Sequence, residues 1–107
     1  MKIPDRVKTF LGFAQKSGQL LTGEKAVNTG IKTGKAKLVL IATDLPEKRR
    51  LFCMRFCEER KIPFGVLGTK EEYGQILGVS PRTLLAVTEE KLAEEIRKSA
   101  KLQKDDG

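Results

Sequence analysis

The chain has 107 residues, 39% hydrophobic and 33% charged, with 21 Lys/Arg against 14 Asp/Glu and a net charge of +7. That length supports one domain with a real core, and the balance is globular rather than disordered. The lack of histidine excludes Ser-His and Cys-His nucleophile pairs and histidine metal sites, so neither a metal nor a cofactor is expected.

The charge is unevenly placed: residues 1–62 carry 14 Lys/Arg and 6 Asp/Glu, whereas residues 63–107 carry 7 and 8. Such concentration favours a basic binding face with a polyanionic partner, nucleic acid first. The longest apolar run, Leu38 to Ala42, is strand-sized, and the opening MKIPDRV lacks the apolar core of a signal peptide. No segment pairs a basic side with a broad exposed apolar one, so a membrane partner is not expected; the two cysteines, read as reduced thiols, make the cytoplasm the expected compartment.

Val7, Phe10, Leu11 and Ala14 recur at i, i+3, i+4, i+7 and predict a helix from about Pro4 to Lys16, opened by Pro4 and ended by Gly18. Gln19 to Thr22 is a short extended piece. A second helix, Glu24 to Thr33, closes at Gly34; it carries Ala26, Val27, Gly30 and Ile31 on one side and Lys25, Thr29 and Lys32 on the other. Lys35 and Lys37 crowd the turn before a buried strand, Leu38 to Thr43. Asp44-Leu45-Pro46 stops that strand and opens a third helix, Glu47 to about Lys61, whose apolar content is Leu51, Phe52, Met54, Phe56 and Cys57. Cys53 and Cys57, at i, i+4, are poorly spaced for a disulfide and read as reduced thiols packing as small apolar residues.

Ile62 to Leu67 is a second core strand, with Pro63 at an edge or entry position. Thr69 caps a short helix ending at Leu77, and Gly78 to Arg82 form a loop. Leu84 to Thr88 is a third strand, and Glu89 to about Leu102 a last helix with Leu92 and Ile96 inward. The tail 103–107 is polar and expected to fray. Short apolar strands alternating with helices predict an α/β sandwich, its sheet covered on both faces, in one domain spanning 1–107.

The most informative stretch runs from Thr22 to Asp44. A cationic helix start beside a glycine turn suits a polyanion. Gly23 permits close backbone approach, Lys25, Lys32, Lys35 and Lys37 supply phosphate contacts, and Thr29 adds a hydrogen bond. Asp44 either caps the helix that begins after Pro46 or, near RNA, accepts from a base or orients a lysine. Lys48-Arg49-Arg50 either extends such a surface or is the wet side of its helix. Gly30-Ile31-Lys32-Thr33-Gly34-Lys35 departs from a phosphate-binding P-loop: it is too short between the glycines, has Ala36 in place of the Ser/Thr, and precedes its strand.

The order of elements, with Gly23-Glu24-Lys25-Ala26-Val27 opening a helix, Gly34-Lys35-Ala36-Lys37-Leu38-Val39 turning into a strand and Ala42-Thr43-Asp44 ending it, resembles the L7Ae/L30e ribosomal protein family. Ile62-Pro63-Phe64, Gly68 to Gly74 and Gly78 to Val87 continue the match, and Leu11 to Gly18 looks most like the small bacterial YlxQ-type members. The resemblance implies a three-layer α/β/α sandwich with a small mixed central sheet and no enzymatic activity. It further implies binding of structured RNA, typically a kink-turn with sheared G·A pairs, and a ribosomal RNA partner on the ribosome is expected; a monomer is the simpler expectation for oligomeric state.

By the same resemblance, RNA is held at the start of the second helix, by Gly23, Glu24 and Lys25, and by a second loop, Val79, Ser80, Pro81 and Arg82. Lys25 falls where relatives have Asn or Lys contacting the G·A region, and Lys37 matches the family's turn lysine. Two residues depart from the pattern: Ala26 stands where relatives carry Glu or Gln, and Thr29 where many carry a phosphate-binding Lys. Ala26 cannot read a base edge, so RNA binding is implied more firmly than kink-turn specificity. The alternative, motivated by Ala26 and by the apolar, proline-bearing loop Val79-Ser80-Pro81, is a protein-interaction adaptor that keeps the fold with weak or no specific RNA binding.

Overall fold

A computed structural model describes residues 2–102; the tail expected to fray lies outside them. The elements are α1 (Asp5–Lys16), β1 (Leu20–Thr22), α2 (Glu24–Thr33), β2 (Leu38–Ile41), α3 (Glu47–Glu59), β3 (Phe64–Val66), α4 (Lys70–Leu77), β4 (Leu84–Val87) and α5 (Glu90–Ser99). The strands form one sheet in the order β1-β4-β2-β3. β4 runs antiparallel to both its neighbours, while β2 and β3 are parallel and joined through α3.

This is the mixed-sheet α/β/α sandwich. Successive strand residues point to opposite faces, and because both faces are covered, β2 and β4 are buried at every position. Leu38, Leu40, Leu85 and Val87 pack with Val7 and Leu11 of α1, Tyr73 and Leu77 of α4 and Ile96 of α5. Val39, Ile41, Leu84 and Ala86 pack with Val27 and Ile31 of α2 and Cys53 and Cys57 of α3.

Local chemistry sets the element ends. Gly34 and Gly78 close α2 and α4 in the left-handed region, where a Cβ would be strained. Thr69 and Glu72 form a reciprocal capping box on α4: Thr69 Oγ1 accepts from the Glu72 amide (3.2 Å) and Glu72 Oε1 from the Thr69 amide (2.9 Å).

Three details refine the expected elements. The extended piece before α2 is an edge strand, β1, paired with β4 from Leu20↔Val87 to Thr22↔Leu85. The apolar residues of α3 are not all internal: Cys53 and Cys57 are buried, whereas Leu51 and Phe52 are 49% and 61% exposed. In α5 Ile96 is buried and Leu92, half-buried, packs against the same core, so both face inward as expected, joined there by Ala93. Pro63 does precede an edge strand, and its carbonyl accepts from the Val39 amide (3.0 Å).

Candidate nucleic-acid interface

The strand directions bring distant segments to one end of the sheet. The Gly23 amide donates to the Leu84 carbonyl (2.9 Å), Ala42 to Thr83 (2.9 Å), Thr43 to Gly68 (2.8 Å) and Arg82 to Lys70 (3.1 Å). The start of α2, the turn after β2, the start of α4 and the loop before β4 therefore share one rim.

Gly23 caps α2 at φ 93°, a backbone conformation that disfavours any side chain, and no side chain caps that helix start. Its first amides thus present donors and the positive end of the helix dipole. Glu24, the acid of this turn, is held by Arg49 of α3, with Nε 3.4 Å from Oε1. Lys25 is exposed and has no hydrogen-bond or ion-pair partner among the described residues. A cleft of about 660 Å³ runs from Gly23 along α2 and the edge strand, and Lys25, Ala26, Thr29 and Lys35 open onto it. Its floor is tight: a Cβ on Gly30 would lie 2.5 Å from the Leu21 Cδ1 atom.

The 79–82 loop is built onto this rim. Its Val79 amide donates to the Gly74 carbonyl (2.9 Å). Arg82 Nη1 donates to the Ser80 carbonyl (2.9 Å) and hydroxyl (2.5 Å), and its Nε donates to Thr22 Oγ1 (3.3 Å), one residue before Gly23. Arg82 is therefore a strut between loop and edge strand. Val79 is 38% exposed, and Ser80 and Pro81 are exposed beside it.

Asp44 caps a helix, but not the one expected. Its Oδ1 accepts from the Lys70 amide (3.1 Å), joining the turn after β2 to the first residue of α4 rather than opening α3. Lys70 itself is exposed on this rim and was missed by the sequence reading. So were Thr22 and Gly74. No spacing rule marks them; only the sheet order brings residues 22, 44, 70 and 82 together.

Other expected residues lie apart. Lys37 is half-buried at the far end of α2, about 15 Å along a helix of ten residues. Its Nζ donates to the Gly34 carbonyl (3.2 Å), and it faces a different cleft of about 730 Å³ with Arg60, Lys61 and Arg97. Lys32 is exposed on the outer side of α2, its carbonyl accepting from Arg60 Nη1 (3.1 Å).

Cys53 and Cys57 are buried against each other; their mutual hydrogen bond and burial raise the Cys57 thiol far above its ordinary value, so it stays protonated. Among the described residues no three His, Cys, Asp or Glu side chains are grouped to hold a metal ion, and no helix is long and apolar enough to cross a membrane.

The sequence profile of the ribosomal protein L7Ae/L30e/S12e/Gadd45 family matches residues 5–97. A Bacillus halodurans protein of unknown function has the same fold, with a TM-score of 0.86 at 24% identity over 90% of this chain and 97% of that one. A Giardia lamblia 15.5 kD RNA-binding protein superposes with a TM-score of 0.77 at 21% identity, over 90% of this chain and 82% of that one.

Proposed function

The chain belongs to the ribosomal protein L7Ae/L30e/S12e/Gadd45 family, and from that premise we propose that it is a non-enzymatic RNA-binding protein of the bacterial cytosol, a YlxQ-type monomer that binds structured, kink-turn-like RNA on the ribosome. One observation carries the reading: the uncapped start of α2 and the 79–82 loop share a rim, joined by the Gly23 amide on Leu84 and by Arg82 on Thr22. The Giardia protein of the same fold is itself an RNA-binding protein.

In this reading the amides that follow Gly23 donate to a phosphate or base edge, since no side chain occupies them. Lys25 neutralises the phosphate beside it, Thr29 and Lys35 follow the backbone along the cleft, and Lys32 adds charge from the outer side. Arg82 offers Nη2 while its other nitrogens hold the loop. Asp44 positions the start of α4 rather than touching RNA, and Lys70 supplies a further cation on the same rim. Ala26 presents only a methyl group toward the cleft, so discrimination rests on backbone donors and shape rather than on a carboxylate or amide at that position.

The test is a titration of the protein against a labelled kink-turn RNA and a matched hairpin without the G·A pairs, at two salt concentrations. Tighter binding to the kink-turn is the expected result. Equal, salt-sensitive binding to both would reduce the reading to a general RNA surface. Binding to neither, with a protein partner that stays attached after ribonuclease treatment, would favour the adaptor reading, which the exposure of Val79 supports.

A further inference from the structure

The outer face of α3 is not used by the interface just described. Phe52 is the most exposed large apolar side chain among the described residues, at 61%, and Leu51 beside it is 49% exposed. Lys48, Phe52 and Arg55 recur at i, i+4, i+7 and so form one stripe. All three are exposed, and neither Lys48 nor Arg55 has a hydrogen-bond or ion-pair partner among the described residues. The ring of Phe52 is braced from behind: its centroid lies 5.8 Å from that of Phe56, and the Arg60 guanidinium sits 5.4 Å from the Phe56 centroid. An aromatic ring held in place, open on one side and flanked along the helix by two unpaired cations, is the arrangement that holds an unpaired base by stacking and its phosphates by charge.

We propose that this stripe is a second RNA-contacting surface, which takes an unpaired nucleotide flanking the structured element bound at α2. It rests on the RNA-binding reading above and extends it. Continuity supports the choice of occupant: the Arg49–Glu24 ion pair ties the first turn of α3 to the first turn of α2, so RNA leaving the α2 rim meets Lys48 and then Phe52. Charge complementarity points the same way. The stripe offers cations and an aromatic face but no acid between Lys48 and Arg55, a poor match to a basic or neutral partner.

The experiment compares a blunt-ended kink-turn duplex with the same duplex carrying a single-stranded extension of about twelve nucleotides, a length within the usual span of stacking sites. The wild-type chain should bind the extended RNA at least about fivefold more tightly, since one stacked base contributes about that much or more. Phe52→Ala should abolish the gain and leave blunt-duplex affinity unchanged. Because the chain contains no tryptophan, Phe52→Trp places a single indole on the stripe. Its fluorescence should be quenched by the extended duplex and by the extension alone, and not by the blunt duplex.

Equal affinity for the two duplexes, or a gain that survives Phe52→Ala, would overturn the proposal. So would sedimentation showing a wild-type dimer that Phe52→Ala dissociates, since the stripe would then belong to a second copy. Failure of the blunt duplex to bind would instead strike the α2 reading. In that event quenching of the Phe52→Trp protein by the extension alone would still support the stripe, and its absence would remove it.

Discussion

Gly74 shows how one missing side chain can shape an interface it does not enter. A Cβ there would lie 2.9 Å from the Val79 carbonyl oxygen and 3.1 Å from both the Pro81 Cα and the Ser80 carbonyl carbon, all of them backbone atoms. Backbone cannot swing aside as a side-chain tip can, so the 79–82 loop must move. Helix propensity alone would make Gly74→Ala favourable by up to about 1 kcal/mol. Overpacking against fixed backbone costs about 1–3 kcal/mol and decides the sign. Gly74→Ala should lower stability in urea denaturation by about that net amount. It should also weaken RNA binding severalfold, with no change in charge. An unaltered affinity would mean that loop position does not matter to binding. At this scale the sequence was partly legible: Thr69 declared its cap and Gly34 its turn, through side-chain chemistry that acts over three or four residues. Gly74 declared nothing, because what it touches is set by a loop whose course the sequence does not display.

Elements that depend on their own caps respond to pH in a direction that can be worked out. Glu89 accepts from the Lys91 amide (2.9 Å) and the Leu92 amide (2.8 Å) at the start of α5. These bonds, Lys91 first, hold its carboxyl below the ordinary value. A carboxyl depressed in the folded state contributes stability above its unfolded pKa of about 4.3, and that contribution is lost as pH falls through the folded value. Glu89→Ala should therefore lower the thermal midpoint at pH 7, and the gap from wild type should narrow as the pH is taken below about 4.3. A gap independent of pH would show that the charge of the cap is irrelevant. Helix boundaries were legible to within a few residues at this scale. The inward face of α3 was not, because Leu51, Phe52, Cys53 and Met54 are consecutive and leave the apolar side undefined until Cys53 and Cys57 meet α2 and the sheet.

Across the whole molecule, the basic excess divides between two ends of the sheet. Lys25 and Arg82 lie on the rim with the helix start, and Lys37 lies beyond the far end of α2. Lys37 leaves the set but Lys70 joins it on the rim, so five cations still act together and the log–log salt slope should be about −3.5 to −4.5. Lys25→Glu should accordingly reduce RNA affinity well beyond what Lys37→Glu does, in proteins that both remain folded by circular dichroism. Equal losses would mean that RNA spans the whole length of α2. The alternation of strand and helix, and the coverage of both sheet faces, could be read from apolar runs such as Leu38 to Ile41. The division of charge could not, because it depends on the β1-β4-β2-β3 order, which is set by pairings between distant residues, those of β1 with β4 more than sixty positions apart.

That order also has a consequence in time. Among the described residues, β4 lies in the interior of the sheet yet is the last strand in sequence, and β1 has no strand neighbour except β4. A growing chain that has made α2 but not residues 84–87 carries every lysine of the helix with no partner for the Gly23 amide and no anchor for Thr22. The rim is therefore assembled only when β4 enters, by closure of a long loop of chain. On the RNA-binding reading, a nascent fragment carries the lysines of α2 without the rim that would position them.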